Sequence, residues 1–214
     1  GLLAGVQGLQ IGIVTQLEND PDGENRILVR MPIISDNEQG IWARVSTLDA
    51  GSDRGSFFLP EIGDEVIVGF INSDPDHPVV LGMMNSSAKA APLTAADANN
   101  EKGFTTRSGM KFIFNDDKKS VILETPVGKK ITVDEDAGVI KLEDENSNVI
   151  TMDPDGIKME SNGKISLKAA QDITIEGMNV SIKASAQFKA EGSAGVELST
   201  GAIAKIQGSM VQIN

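Results

Sequence analysis

Between Gly163 and Asn214 an apolar doublet returns every seven or eight residues, and this step constrains the fold more than any other feature of the chain. The doublets are Ile165/Leu167, Ile173/Ile175, Val180/Ile182, Phe188/Ala190, Val196/Leu198, Ala204/Ile206 and Val211/Ile213. The residue between the two members is always polar: Ser166, Thr174, Ser181, Lys189, Glu197, Lys205 or Gln212. Successive side chains of a strand point to opposite faces, so these triplets predict very short strands with one wet face. Small and polar residues fill the intervals, as in Gly177-Met178-Asn179 and Gly192-Ser193-Ala194-Gly195, and supply compact turns.

Such a strand does not stabilise itself. Burying a large apolar side chain contributes roughly 1.5–3 kcal/mol, whereas ordering the backbone costs about 1–2 kcal/mol for every residue. Single-chain β-solenoids repeat at about six residues in the hexapeptide type or at roughly twenty or more in longer coils, and the step seen here fits neither. If three identical chains each supply one strand to a triangular layer, a step of about eight residues carries each chain to the next face, and the inward doublets meet on one axis. The expected fold is therefore an intertwined homotrimeric triple-stranded β-helix, with Ile165, Leu167, Ile173, Ile175, Val180, Ile182, Phe188, Val196, Leu198 and Ile206 in the trimer core. An antiparallel meander with one solvated face is the alternative, and the near absence of Asn-Gly and Asp-Gly after Gly163 speaks against it.

Further doublets precede this region at spacings of nine or ten residues: Phe112/Phe114, Val121/Leu123, Ile131/Val133 and Ile140/Leu142. Ile113 and Ile122 make the first two strands apolar on both faces, which predicts a wider, partly covered upper part. The register is ambiguous around Val149 to Met152, and from Ile157/Met159 onward the step shortens. About thirteen layers spaced by roughly 4.8 Å predict a needle on the order of 60 Å long.

Before residue 85 the pattern changes to longer strands separated by loops. Stretches 9–17, 26–31, 41–45, 65–71 and 79–83 are rich in Ile and Val and bounded by turn residues. Pro21-Asp22-Gly23 is a turn by mechanism, since Pro presets φ and Gly accepts positive φ. Five strands in this order predict an OB-type Greek-key barrel over residues 1–85. The small, polar stretch NSSAKAAPLTAADANNEK reads as an exposed connection, which places a linker at 86–104 and the β-helix spike at 105–214. The chain is thus expected to be all-β throughout.

Composition narrows the function. Aromatic residues make up only 4 %, with one Trp and no Tyr, so narrow β layers are favoured over a large conventional core. The net charge of −12 argues against a nucleic-acid surface, which needs clustered Lys and Arg, and against an anionic membrane surface. No apolar run is long enough to span a bilayer, so no stable membrane anchoring is expected. The opening GLLAGVQGLQ, without an initiator Met or a basic segment, reads as the cut edge of a longer polypeptide. With no Cys and a single His, no nucleophile constellation or phosphate loop is present. Asp134-Glu135-Asp136, Glu143-Asp144-Glu145 and Asp153/Asp155 read as solvated corners, because EF-hand spacing is missing. His77 reads as a solvated loop residue. Trp42 reads as a core or barrel-mouth residue, with contact to another chain as the alternative. No catalytic residue, metal or cofactor is expected.

The succession RILVRMP (from Arg26), IWARV (from Ile41), FLPEIGDEVIVGF (from Phe58) and DPDHPVVLG (from Asp74) resembles the OB domain of VgrG-like central spike proteins of contractile injection machines. TTRSGMKFIFNDD (from Thr105) resembles the entry into that family's β-helix. In some phage relatives a lysozyme domain separates barrel and needle, and the linker here is too short to fold as one. The resemblance implies a non-enzymatic homotrimeric spike that meets upstream hub domains, baseplate and tube proteins and is driven through a target envelope. It implies a bacterial protein assembled in the cytoplasm, then delivered outward. It further implies a PAAR-repeat tip protein or effector cargo, seated on Met210, Val211, Gln212, Ile213 and Asn214. Within this family, Gly63 permits the sharp entry to the fourth strand, and Val66, Val68 and Phe70 alternate into the barrel. A trimeric adhesin stalk and an oligosaccharide-binding OB module are the rival functions.

Overall fold

A computed structural model of the chain describes residues 5–32 and 39–213. Five strands close into a barrel: β1 (Gln10–Gln16), β2 (Ile27–Arg30), β3 (Ile41–Val45), β6 (Glu65–Phe70) and β7 (Pro78–Met83). The short β4 (Ala50–Gly51) and β5 (Arg54–Gly55) form a separate hairpin between β3 and β6. Around the barrel the order is β1-β2-β3-β7-β6, with β6 returning to β1 and β3 running parallel to β7. All five strands lie within one residue of the limits expected from the sequence.

Alternation fills the barrel. Val14, Ile27, Val29, Met31, Ala43, Val66, Val68 and Val80 form the buried core, and Leu17, Ile41, Val45, Leu59 and Phe70 pack against it. Gly12 of β1 faces this interior, where an added Cβ would lie 2.3 Å from a Val29 methyl group. Only a residue without a side chain leaves room for these valines. Gly63 adopts a φ of +87°, so the chain turns sharply into β6 as expected from its position before Asp64. Because Ile41, Ala43 and Val45 are the inward residues of β3, Trp42 stands on the outer face. It is half-buried and pairs in register with Leu28 of β2, so it is not a core residue of the barrel.

A second sheet belongs to the same compact unit as the barrel, which runs to Gly163. It is a seven-stranded antiparallel meander built from β8 (Glu101–Thr105), β9 (Lys111–Asn115), β10 (Ser120–Glu124), β11 (Lys130–Asp134), β12 (Val139–Glu143), β13 (Val149–Asp153) and β14 (Gly156–Glu160). The stretch expected as an exposed connection is strandless to residue 100 and then enters β8. Barrel and meander touch through Phe58 and Phe104, whose rings stack at 5.3 Å, and through the Arg107–Glu61 ion pair at 2.6 Å.

The meander has a repeat of its own. Thr106, Thr125 and Asp144 follow one another at intervals of 19 residues, and each opens the same kind of turn. In each turn the side-chain oxygen accepts a backbone N–H four residues on, from Met110 at 3.2 Å, Lys129 at 3.1 Å and Asn148 at 2.9 Å. Two five-residue strands and two turns fill that interval. The spacings of nine and ten seen in the sequence are therefore the two halves of a hairpin.

Residues 164–213 form a separate unit. The short strands expected at the seven doublets are not formed within this single chain, and every described residue of the unit is exposed. A strand exists only through hydrogen bonds to a neighbour, and triplets separated by four- or five-residue turns leave each segment little of its own chain to pair with.

Candidate functional site

The features that set this chain apart are apolar surfaces that nothing within the chain covers. In the meander the register aligns Phe112, Leu123, Ile131, Leu142, Ile150 and Met159 in one row across the strands. Phe114, Val121, Val133, Ile140, Met152 and Ile157 form a second row beside it. Both rows lie on one face, since their members sit two residues apart on each strand. From Phe112 to Met152 the exposed members of these rows keep 36–46 % of their surface in contact with solvent.

The opposite face carries the charges. Lys111 and Glu124 lie 3.7 Å apart, Lys141 and Glu143 3.0 Å, and Lys158 and Asp153 3.2 Å. That second face is mixed, since Ile113, Ile122, Val139 and Val149 lie among its ion pairs, whereas the face with the two rows is apolar throughout and suited to lie against something else.

In residues 164–213 the same imbalance is stronger. Ile165, Ile173, Val180, Phe188, Val196 and Ile206 are 52–75 % exposed, and Leu167, Ile175, Ile182 and Leu198 67–89 %. Charge separates along the sequence as well. Lys164, Lys168, Lys183, Lys189 and Lys205 outnumber Asp172, Glu176, Glu191 and Glu197 by one, so the whole of the net −12 arises before Lys164.

Of the residues expected to seat a tip protein, Met210, Val211, Gln212 and Ile213 are exposed, and Asn214 lies outside the described residues. Asp153, one of the acids expected at solvated corners, accepts the Asp155 N–H at 2.9 Å and faces Lys158. Its oxygens are thus engaged by its own hairpin, and the nearby lysine and donors hold its pKa below the usual carboxylate range. Among the described residues no group of three His, Asp or Glu is placed to hold a metal ion, and no helix is long and apolar enough to cross a membrane.

The sequence reading missed one local construction. Asp20 accepts the backbone N–H groups of Asp22, Glu24 and Arg26 and binds the Arg26 guanidinium at 2.6 Å, while Arg26 also meets Asp22 at 2.5 Å. The guanidinium holds the Asp20 carboxyl far below its ordinary range, outweighing the effect of burial. Its signal was an Asp immediately before Pro-Asp-Gly, a position whose side chain folds back onto the following N–H groups.

Barrel closure in the order β1-β2-β3-β7-β6, with the parallel β3–β7 pair, defines the class: an OB-type barrel within an all-β chain. Residues 10–84, which span that barrel, match the family of type VI secretion system/phage-baseplate injector OB domains. The type VI secretion system spike protein VgrG3 of Vibrio cholerae is 39 % identical over 80 residues, 36 % of this chain and 8 % of that protein. Spike protein VgrG1a of Pseudomonas aeruginosa is 35 % identical over 74 residues, covering 35 % of this chain and 12 % of its own length. The actin cross-linking toxin VgrG1 of Vibrio cholerae is 32 % identical over 118 residues, 52 % of this chain and 11 % of the toxin. The barrel region is thus similar to that of VgrG spike proteins, and the chain spans about a tenth of the length of the curated relatives it matches.

Proposed function

We propose that this chain is the barrel-and-needle part of a non-enzymatic, homotrimeric spike that punctures a target envelope when a contractile injection apparatus fires. Its domains are the OB barrel (1–85), a linker (86–104) and the needle (105–214). The observation that carries the proposal is the pair of uncovered apolar rows on the meander, followed by doublets that find no cover in their own chain. Three copies laid face to face bury those rows around one axis, and the doublets of residues 164–213 then close short triangular layers. Ile165, Leu167, Ile173, Ile175, Val180, Ile182, Phe188, Val196, Leu198 and Ile206 form that core.

A closed trimer has few free strand edges, and unwinding it requires three threaded chains to separate together, so its resistance is kinetic as well as thermodynamic. Such a rod transmits axial force without an apolar exterior, the work being supplied by the machine. Met210, Val211, Gln212, Ile213 and Asn214, brought together from three chains, seat a PAAR-type tip protein or cargo. Hub domains, baseplate and tube proteins engage the barrel side, and assembly takes place in the bacterial cytoplasm before delivery outward.

Sedimentation equilibrium tests this reading. The expected mass is three times the 22.6 kDa of the chain, held at micromolar dilution, and well-ordered single chains at that dilution overturn it. Removing the last five residues is expected to leave the trimer intact and abolish binding of a PAAR-repeat protein. Undiminished binding removes the seat.

A further inference from the structure

The last strand of the meander runs out into a chemically reactive pair. Asn162 and Gly163 follow β14, an edge strand of the sheet, and both are exposed. Asn162 is the only asparagine of the chain that glycine follows. The backbone nitrogen after an asparagine lies a small ring away from the side-chain carbonyl carbon, and a side chain on the next residue crowds that closure. Gly163 has none. The Asn162 side-chain amide makes no hydrogen bond among the described residues, so nothing holds it away from the nitrogen.

The nitrogen is prepared by its neighbours. Gly163 donates its N–H to Oγ of Ser161 at 3.0 Å. The Ser161 hydroxyl donates in turn to Oδ1 of Asn148 at 2.5 Å, just beyond the Val149–Glu160 end of the β13–β14 ladder. Asn148 is fixed in that orientation, because its Nδ2 donates to the Asp144 carboxylate at 2.8 Å and its backbone N–H donates to the same group at 2.9 Å. With the Ser161 proton committed to Asn148, the oxygen lone pairs face Gly163, and a series of hydrogen bonds ending on a carboxylate polarises each member. The Gly163 proton is thereby drawn away from the atom that must lose it.

We propose that Asn162–Gly163 is a site of self-modification, where the Gly163 nitrogen attacks Cγ of Asn162 and converts the asparagine to aspartate and isoaspartate without an enzyme. The new N–C bond closes a succinimide, and the side-chain nitrogen departs as ammonia with the proton given up by Gly163. Water then opens the ring. Breaking the bond to Cγ leaves aspartate, and breaking the bond to the main-chain carbonyl leaves isoaspartate, whose backbone continues through the former side chain. Either product places a new carboxylate directly before Lys164 and the doublet Ile165/Leu167. Isoaspartate also lengthens the backbone there by a methylene group.

The intact protein is aged in mildly alkaline buffer, digested in acid and mapped by mass spectrometry with fragmentation that separates aspartate from isoaspartate. Asn162 is expected to convert at least about tenfold faster than Asn146, which precedes Ser147 in a turn of the same sheet. Gly163→Ala is expected to slow conversion about tenfold. The added Cβ meets only Oγ of Ser161, at 3.6 Å, so the fold is kept. Ser161→Ala is expected to slow conversion about threefold in the folded protein and to leave it unchanged in urea, where the hydrogen-bond series is absent. The proposal is overturned if Asn162 converts no faster than Asn146, or if either variant ages like the parent in the folded state.

Discussion

Residues 101–160 and residues 164–213 use the same element, an apolar doublet around a polar centre, and reach opposite outcomes. In the first region two doublets occur in each 19-residue interval, enough chain for two five-residue strands and two turns, so every strand finds a partner a few residues away. In the second the interval falls to seven or eight, and the described residues form no strand in a lone chain. The apolar rows remain uncovered in both. The step length therefore decides whether hydrogen bonding is satisfied within the chain, while in either case the apolar side finds no cover there. A meander of this kind possesses its backbone order before it has a core; the following residues acquire both together.

The strongest test of that contrast places charge on the needle axis. Ile173→Asp with Ile182→Asp puts six carboxylates in the interior of the proposed trimer, a penalty of at least about 3 kcal/mol per chain. Hydrogen exchange is expected to lose protection across residues 164–213 and retain it in β9 to β13; loss in both regions together would show that they are one cooperative unit. A smaller effect is expected from Ile131→Asp on the apolar face of the meander. Roughly 2–4 kcal/mol of association is lost, so sedimentation mass falls toward the single chain while the far-ultraviolet signal of the sheet persists.

Turn chemistry comes next. Thr125→Ala removes the acceptor for the Lys129 N–H and should destabilise the meander by about 0.5–1 kcal/mol in denaturant titration. Ser181→Ala, on the wet face of a needle triplet, should stay within about 0.5 kcal/mol of the parent. Equal effects would blur the distinction between self-paired and shared strands.

The smallest effect concerns acid. The Asn148 side chain and backbone N–H depress the Asp144 pKa, so its stabilising contribution is complete above the ordinary carboxylate range near pH 4 and is lost as pH falls through the lowered value. Asp144→Asn should remove part of the acid-side decline in melting temperature and leave the neutral plateau nearly parallel.

What the sequence disclosed follows from how each element is stabilised. The barrel strands were legible to within a residue because Val66/Val68 and Ile27/Val29 alternate against a core supplied by the same chain. The hairpin repeat was harder to see, because its marks, Thr106, Thr125 and Asp144, differ in type and share only the ability of a side-chain oxygen to cap a turn. For Trp42 the sequence allows a core or barrel-mouth place or contact with another chain, and only its position between inward-facing Ile41 and Ala43 on β3 removes the first of these. For the doublets of the last fifty residues, the pattern states which side wants cover and gives only indirect notice of who provides it.

The equal spacing of Thr106, Thr125 and Asp144 bears on the order of synthesis. Each hairpin can zip as soon as its 19 residues leave the ribosome, so a nascent chain carries a finished ruler before residues 164–213 exist. In the proposed trimer, three such rulers laid face to face would bring equivalent positions to one height, so that residues 164–213 of the three chains wind together without sliding past one another.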